Sequence, residues 1–280
     1  MTESAPFTLA KIEEHWTQWA VAHGTSLRAT TKNRTAKELE VDALARAMTR
    51  HGVPAGASVL EVGCGNGLNC LELARRHAGW RLDGFDFIAE MVAAAEENRR
   101  DSPCPERLSF RRGNVLELDR IEGLRPAYDA VFTDRCLINL NTAELQTRAI
   151  SAIAKRVRSG GLLLMIENSI QTYAAQNRCR EMVGLAPRTP DPYNLFFDEP
   201  KILPHLATIG LELLEIEDFI SLHDLVLYVL VPAINGGHVD YEHPLVAAAT
   251  KLTRAVSAEQ PSAFGRFGQN RLYVCRAGGK

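Results

Sequence analysis

Between Ala57 and Glu167 short apolar runs alternate with longer segments whose apolar positions recur at helical spacing. ASVLEVG reads as a strand, and LNCLELARRHAG as a helix that ends at Gly79. RLDGFDF is a second strand, followed by IAEMVAAAEENRR, a helix rich in alanine, the best helix former. After a break at Pro103–Pro105 come the strands LSFRRGNV and YDAVFTDR. A long helix, TAELQTRAISAIAKRVRSGG, then leads to the strand LLLMIEN. Strands separated by helices predict βαβ units and a mostly parallel sheet covered on both faces. LELLEIEDFI is a later strand. RLYVCRA, which has no crossover helix after it, is predicted as an antiparallel last strand.

Three regions exceed a minimal α/β core. Residues 8–50 read as two helices around a polar loop. The first stacks Ile12, Trp16 and Trp19 on one face. The second opens with a capping box at Thr35 and Glu38 and carries Leu39, Val41, Leu44 and Met48. The other two are insertions at about 168–204 and 221–262, both leaving from the carboxyl edge of the sheet, where open α/β sheets bind ligands. The expected organisation is a helical N-terminal cap over 1–50 and an α/β domain over 51–280. Segments 8–35, 168–204 and 221–262 are expected to wall a pocket for a small or medium ligand.

The chain has 280 residues, 46% of them apolar, enough for a substantial core. A net charge of −2 argues against a nucleic-acid-binding face, and the basic pair Arg111–Arg112 is too short to change that. Six cysteines form no C-x-x-C and no Cys/His ligand spacing, so no metal site is expected; they read as reduced, mostly buried thiols. The opening residues have no apolar leader pattern, and LVLYVLVPAI is too short to span a bilayer. A soluble cytoplasmic protein, monomeric or homodimeric, is the expectation.

Candidate chemistry begins at VLEVGCGNG, Val59 to Gly67, a strand running through a glycine turn into a helix. Glycine allows positive φ and lets a ligand lie against bare backbone. Gly63, Gly65 and Gly67 give G-x-G-x-G, but a dinucleotide fingerprint needs a glycine where Leu68 stands. With Glu61 two residues before the first glycine, the turn resembles the cofactor loop of class I S-adenosylmethionine-dependent methyltransferases. The resemblance extends over about Val53 to Glu167 and implies a seven-stranded Rossmann-like sheet of order 3-2-1-4-5-7-6. It makes 51–280 a methyltransferase domain and S-adenosyl-L-methionine the cofactor. It also implies a cofactor site of Glu61, Gly63, Cys64, Gly65 and Gly67. Asp86, nineteen residues beyond Gly67, would take the ribose hydroxyls, with Phe87 and Met91 against adenine. Asn114, where the family usually has Asp, would meet the adenine edge beside Val115. Thr133, Asp134 and Arg135 would border the methionyl end. TDRCLINL, NLFFDE and RLYVCR also resemble a bacterial subgroup associated with saccharide and secondary-metabolite biosynthesis.

Methyl transfer from a sulfonium is an in-line displacement governed by positioning. A hydroxyl acceptor also needs a base, for which Asp134, Glu167, His223 and His243 are the candidates. A carboxylate acceptor would need a clamp such as Arg135, Arg178 or Arg188. O-methylation of a small molecule is the expected activity. N-methylation, or a methyltransferase-like domain kept as a binding module, are the alternatives.

Overall fold

The computed structural model describes residues 7–278; residues 1–6 of the expected cap lie outside the described residues. Seven strands form one sheet: β1 (Ser58–Val62), β2 (Arg81–Asp86), β3 (Leu108–Arg112), β4 (Tyr128–Asp134), β5 (Val157–Asn168), β6 (Leu211–Glu217) and β7 (Asn270–Ala277). Their order is β3-β2-β1-β4-β5-β7-β6, as expected. The first five run parallel, and β7 inserts antiparallel between β5 and β6.

Ten α-helices accompany the strands in the described residues. They are α1 (Leu9–His23), α2 (Arg34–Arg50), α3 (Leu68–Arg76), α4 (Ala89–Arg100), α5 (Ala143–Ala154), α6 (Ile170–Met182), α7 (Glu199–Thr208), α8 (Ser221–Leu225), α9 (Val231–Ile234) and α10 (Pro244–Ser257). A π-helical turn over Val226–Leu230 joins α8 to α9.

Two local expectations need correction. The helix predicted over 142–161 ends at Ala154, and VRSGG opens β5 instead. Tyr128 N–H donates to the Arg156 carbonyl at 2.8 Å and Val157 pairs with Tyr128, so sheet pairing outcompetes another helical turn. The second N-terminal helix is capped by Asn33, not by a Thr35–Glu38 box. Asn33 Oδ1 accepts from Ala36 N–H at 3.0 Å and from the Thr35 hydroxyl at 2.9 Å.

Apolar residues fill both faces of the sheet. On one, Leu44 and Met48 of α2 and Leu73 of α3 pack with Val59, Phe132, Leu164 and Val274. On the other, Ile150 and Ile153 of α5 and Ile202 and Leu206 of α7 meet Leu60, Val131, Leu163 and Tyr273. α2 is thus built into the core of the sheet, and its N-terminus arrives at the strands' carboxyl edge. Among the described residues no helix is long and apolar enough to cross a membrane.

Candidate active site

β1 runs out at Val62 into a turn in which Gly63, Gly65 and Gly67 all have positive φ, at 72°, 51° and 80°. The Gly63 and Cys64 amides both donate to the Phe85 carbonyl at 2.9 Å, tying the turn to β2. Asp86, at the end of β2, braces it further. One carboxylate oxygen accepts from Gly65 N–H at 2.8 Å and the other from Ile88 N–H at 2.9 Å. Space is short as well as conformation. A Cβ on Gly65 would lie 2.7 Å from the Thr30 methyl, and one on Gly63 would strike Cys136 Sγ. A Cβ on Gly67 would lie 2.6 Å from the Phe110 ring. Asn66, a residue the sequence reading did not single out, donates from Nδ2 to the carbonyls of Gly24 (3.0 Å) and Ser26 (2.8 Å). The loop after α1 is thereby latched onto the glycine turn.

A cavity of about 760 Å³ lies over the carboxyl ends of β1 to β5, a volume within the range of small-molecule sites. The structure brings most of the candidate cofactor residues to it. Glu61, Gly63, Cys64, Gly65 and Asp86 line its floor, with Phe87, Met91, Asn114 and Val115 along one side and Asp134 and Arg135 at the end of β4. Gly67 and Thr133 do not line it. Gly67 caps α3, and Thr133 is buried with its hydroxyl donating to Glu167 at 2.7 Å. Asn114 also caps the following turn, its Oδ1 accepting from Leu116 N–H at 2.9 Å.

Of the four candidate bases, Asp134 alone lines the cavity. Glu167 is fully buried and accepts from Thr133 Oγ1 and from the Leu137 and Ile138 amides at 3.1 and 3.2 Å, which fixes the segment after β4. Burial pushes its pKa up to about 7. His223 is also fully buried, its ring between Thr35 Oγ1 and Asp224 Oδ1, each at 2.9 Å. Its neighbour Asp224 does line the cavity. His243 is the N-cap of α10, with Nδ1 accepting from Leu245 N–H at 3.2 Å.

Around Asp134 stands a cluster that the sequence reading missed. Lys37 on α2 is ion-paired with Asp134, and its Nζ lies 2.8 Å from Glu40 Oε2. Arg135 Nε approaches the other Glu40 oxygen at 3.1 Å, and Asn270 Nδ2 donates to that oxygen at 2.7 Å. Burial opposes ionisation of Asp134, but the Lys37 ammonium and then the Arg135 guanidinium outweigh it and hold the carboxyl below its usual range. Glu40 goes the other way. Burial dominates over Arg135 and raises its proton affinity. Glu61 is buried beneath the same cluster and pushed up to about 8, although Cys70 Sγ and Asn69 Nδ2 donate to it. The signal was present in the sequence. Lys37 lies on the same helical stripe as Val41, Leu44 and Met48, and an ammonium on a core-facing stripe requires a buried partner.

The cavity is roofed by all three of the segments expected to wall it. α1 supplies Trp16, whose Nε1 donates to Asn139 Oδ1 at 2.9 Å, and His15, stacked on Tyr193 at 4.1 Å between ring centroids. Trp19 lines the cavity and donates to the Arg28 carbonyl at 2.6 Å. Tyr193 and Arg188 come from the loop between α6 and α7, and Asp224, Tyr228 and Tyr241 from the segment between β6 and β7.

Residues 59–161 match the family described as "Methyltransferase domain". The match covers a little over a third of the chain, from β1 into the start of β5. Solved structures extend the likeness of the fold to the whole chain. The [4+2]-cyclase SpnF superposes with a TM-score of 0.60 at 18% identity, covering 98% of each chain. Magnesium protoporphyrin IX methyltransferase (ChlM) from Synechocystis PCC 6803 with bound SAM gives 0.57 at 15% identity, over 99% of this chain and 100% of the other. In sequence, 117 residues are 28% identical to the S-adenosyl-L-methionine-dependent Diels-Alderase iccD of Talaromyces variabilis. That stretch is 41% of this chain and 37% of the relative's length. The family match thus falls on the β1–β5 half of the sheet, and the roof, from α1, the start of α2, the loop after α6 and the segment between β6 and β7, lies outside it.

Proposed function

We propose that the protein binds S-adenosyl-L-methionine over its glycine turn and transfers the methyl group to an oxygen of a small-molecule acceptor. The observation that carries this reading is the joining, in one roofed cavity, of the braced Gly63–Gly67 turn with a second, polar half. The residues present fit the cofactor. The glycine turn gives bare backbone, Asp86 offers carboxylate oxygens for a ribose, and Phe87, Met91 and Val115 offer an apolar slot for adenine. Asn69 and Asp134 each keep a buried oxygen without a hydrogen-bond partner at the methionyl end. Bound there, the sulfonium would supply an activated methyl group.

The chain's own residues then position, exclude water and take a proton. Trp16, Tyr193 and the loop they pin close the mouth, which favours a small acceptor over a folded protein or a duplex. Asn33, Asn168, Asn194, Gln269 and Asn270 line the second half. These amides suit a hydroxylated acceptor of the kind met in saccharide or secondary-metabolite biosynthesis. For proton removal Glu40 is better suited than Asp134, because burial raises its proton affinity whereas Lys37 and Arg135 keep Asp134 ionised.

The sequence match to iccD, named as an S-adenosyl-L-methionine-dependent Diels-Alderase, favours a second reading, cofactor binding without methyl transfer. One assay separates the two. The protein is incubated with methyl-labelled S-adenosylmethionine and a panel of hydroxylated small molecules, and adenosylhomocysteine and labelled product are followed by mass spectrometry. Methyl transfer predicts equal amounts of both. An acceptor converted without label, with no adenosylhomocysteine formed, supports the second reading and overturns the first.

A further inference from the structure

Two guanidinium groups lie side by side at the roofed end of the cavity. Arg188 lines it, its Cζ 3.6 Å from the centroid of the Tyr228 ring and 5.5 Å from that of Tyr173. Its Nη1 donates to Gln176 Oε1 at 3.0 Å. Arg180 stands behind, 6% exposed, donating to the carbonyls of Ala186 (2.8 Å) and Tyr228. Among the described residues neither guanidinium has a carboxylate within ion-pairing distance. Asp191, on the same loop as Arg188, instead accepts from the Tyr193 hydroxyl at 3.1 Å. Burial and then the neighbouring Arg188 charge push Arg180 below its ordinary range.

Elsewhere in the cavity Lys32 stands over the Trp19 ring, its Nζ 5.2 Å from the centroid, and the deeper cations are paired. Lys37 and Arg135 are matched by Glu40 and Asp134 within one closed cluster. Two adjacent cations, one of them buried, are held together here by carbonyls, an amide and aromatic faces alone. A buried charge without a counter-charge is costly, and a planar guanidinium stacked on a ring, with Nη1 on Gln176, keeps its remaining donors for a carboxylate or phosphate. We infer that the acceptor is an acid, its carboxylate or phosphate group held by Arg188 against Tyr228 with Arg180 adding charge from behind. This rests on reading the roofed half of the cavity as the acceptor site, and it narrows the acceptor from hydroxylated molecules in general to anionic ones.

The test uses the full chain saturated with adenosylhomocysteine and inorganic phosphate as probe, followed by calorimetry and by ³¹P linewidths. Acetate is then added as competitor. Phosphate is expected to bind saturably, and Arg188→Gln to weaken it about tenfold or more, the loss of one charge-assisted interaction. Arg188→Lys, which keeps the charge but not the fork, should fall between. Competition by acetate marks the site as one for carboxylates as well, and failure to compete as one for phosphoryl groups. Absence of saturable phosphate binding, or equal affinity in wild type and Arg188→Gln, overturns the inference. Adenosylhomocysteine binding is read separately in the same samples. Its failure would count against the methyltransferase reading, while the Arg188 comparison can still be made on the unliganded chain.

Discussion

Lys37 on α2 and Asp134 at the end of β4, far apart in the chain, form a buried ion pair beside the cavity, with Glu40 at 2.8 Å on the other side of the ammonium. Removing the ammonium leaves two buried carboxyl groups, Glu40 and Asp134, to share the single Arg135 guanidinium. Lys37→Met is therefore expected to destabilise the fold by about 3–5 kcal/mol. Denaturant unfolding checks this, and a loss below about 1 kcal/mol would show that the cluster is solvated rather than buried.

Glu40 gives a catalytic prediction. As the proton acceptor for a hydroxyl, Glu40→Gln should lower turnover about 10²–10⁴-fold while adenosylhomocysteine affinity stays near wild type. Asp134→Asn should lower cofactor affinity as well, because the proposed function places Asp134 at the methionyl end. Steady-state rates and calorimetry on the two variants distinguish the roles, and a Glu40→Gln variant with normal turnover would remove Glu40 from proton transfer.

Stability should depend on pH through Glu61. Its carboxyl shifts from an ordinary value of 4.5 to about 8 on folding, so between these limits the folded state holds a proton that the unfolded chain has lost. Stability contributed by this group therefore falls as pH rises from about 4.5 to 8, and is level above that. Glu167, raised to about 7, adds in the same direction. Glu61→Gln, which mimics the protonated form, should flatten the decline in Tm between pH 5 and 8 (roughly the window set by these shifts). An unchanged slope would contradict the assignment.

The roof should be the first part to open. His15 and Tyr193 stack and Trp16 meets Tyr193 edge-on at 5.8 Å, joining the loop before α7 to α1. Tyr193→Ala removes both aromatic contacts, each worth roughly 0.5–1.5 kcal/mol. Hydrogen exchange over residues 185–198 should quicken several-fold, with amides of β1 and β4 unaffected. Uniform exchange in both proteins would rule out a clasp.

How far the sequence disclosed this arrangement depended on the range of the interactions. Strand and helix alternation from Ala57 to Glu167 and the glycine turn are local signals, so the βαβ units and the Gly63–Asp86 edge were legible, while the strand order followed from the family resemblance. The start of β5 was not, because VRSGG is taken from helix to strand by its pairing with Tyr128. The Thr35–Glu38 box failed since Asn33 offers a competing cap two residues earlier. His223, read as a candidate base, is consumed by contacts to Thr35 and Asp224 that no spacing rule reveals. Lys37 and Glu40 were missed although their stripe on α2 was in view, because their partners lie about a hundred residues and more away on β4 and β7.

Calorimetric titration of S-adenosylmethionine into wild type and Asp86→Ala tests whether the edge formed by Gly63–Gly67 and Asp86 holds the cofactor. Both proteins are first shown to be folded by circular dichroism, because Asp86 also accepts from the Gly65 and Ile88 amides. Saturable binding to wild type is predicted, weakened in Asp86→Ala by about 2–3 kcal/mol, or roughly 30- to 150-fold. A folded wild type that does not bind the cofactor, or a folded Asp86→Ala that binds it equally well, would contradict the claim.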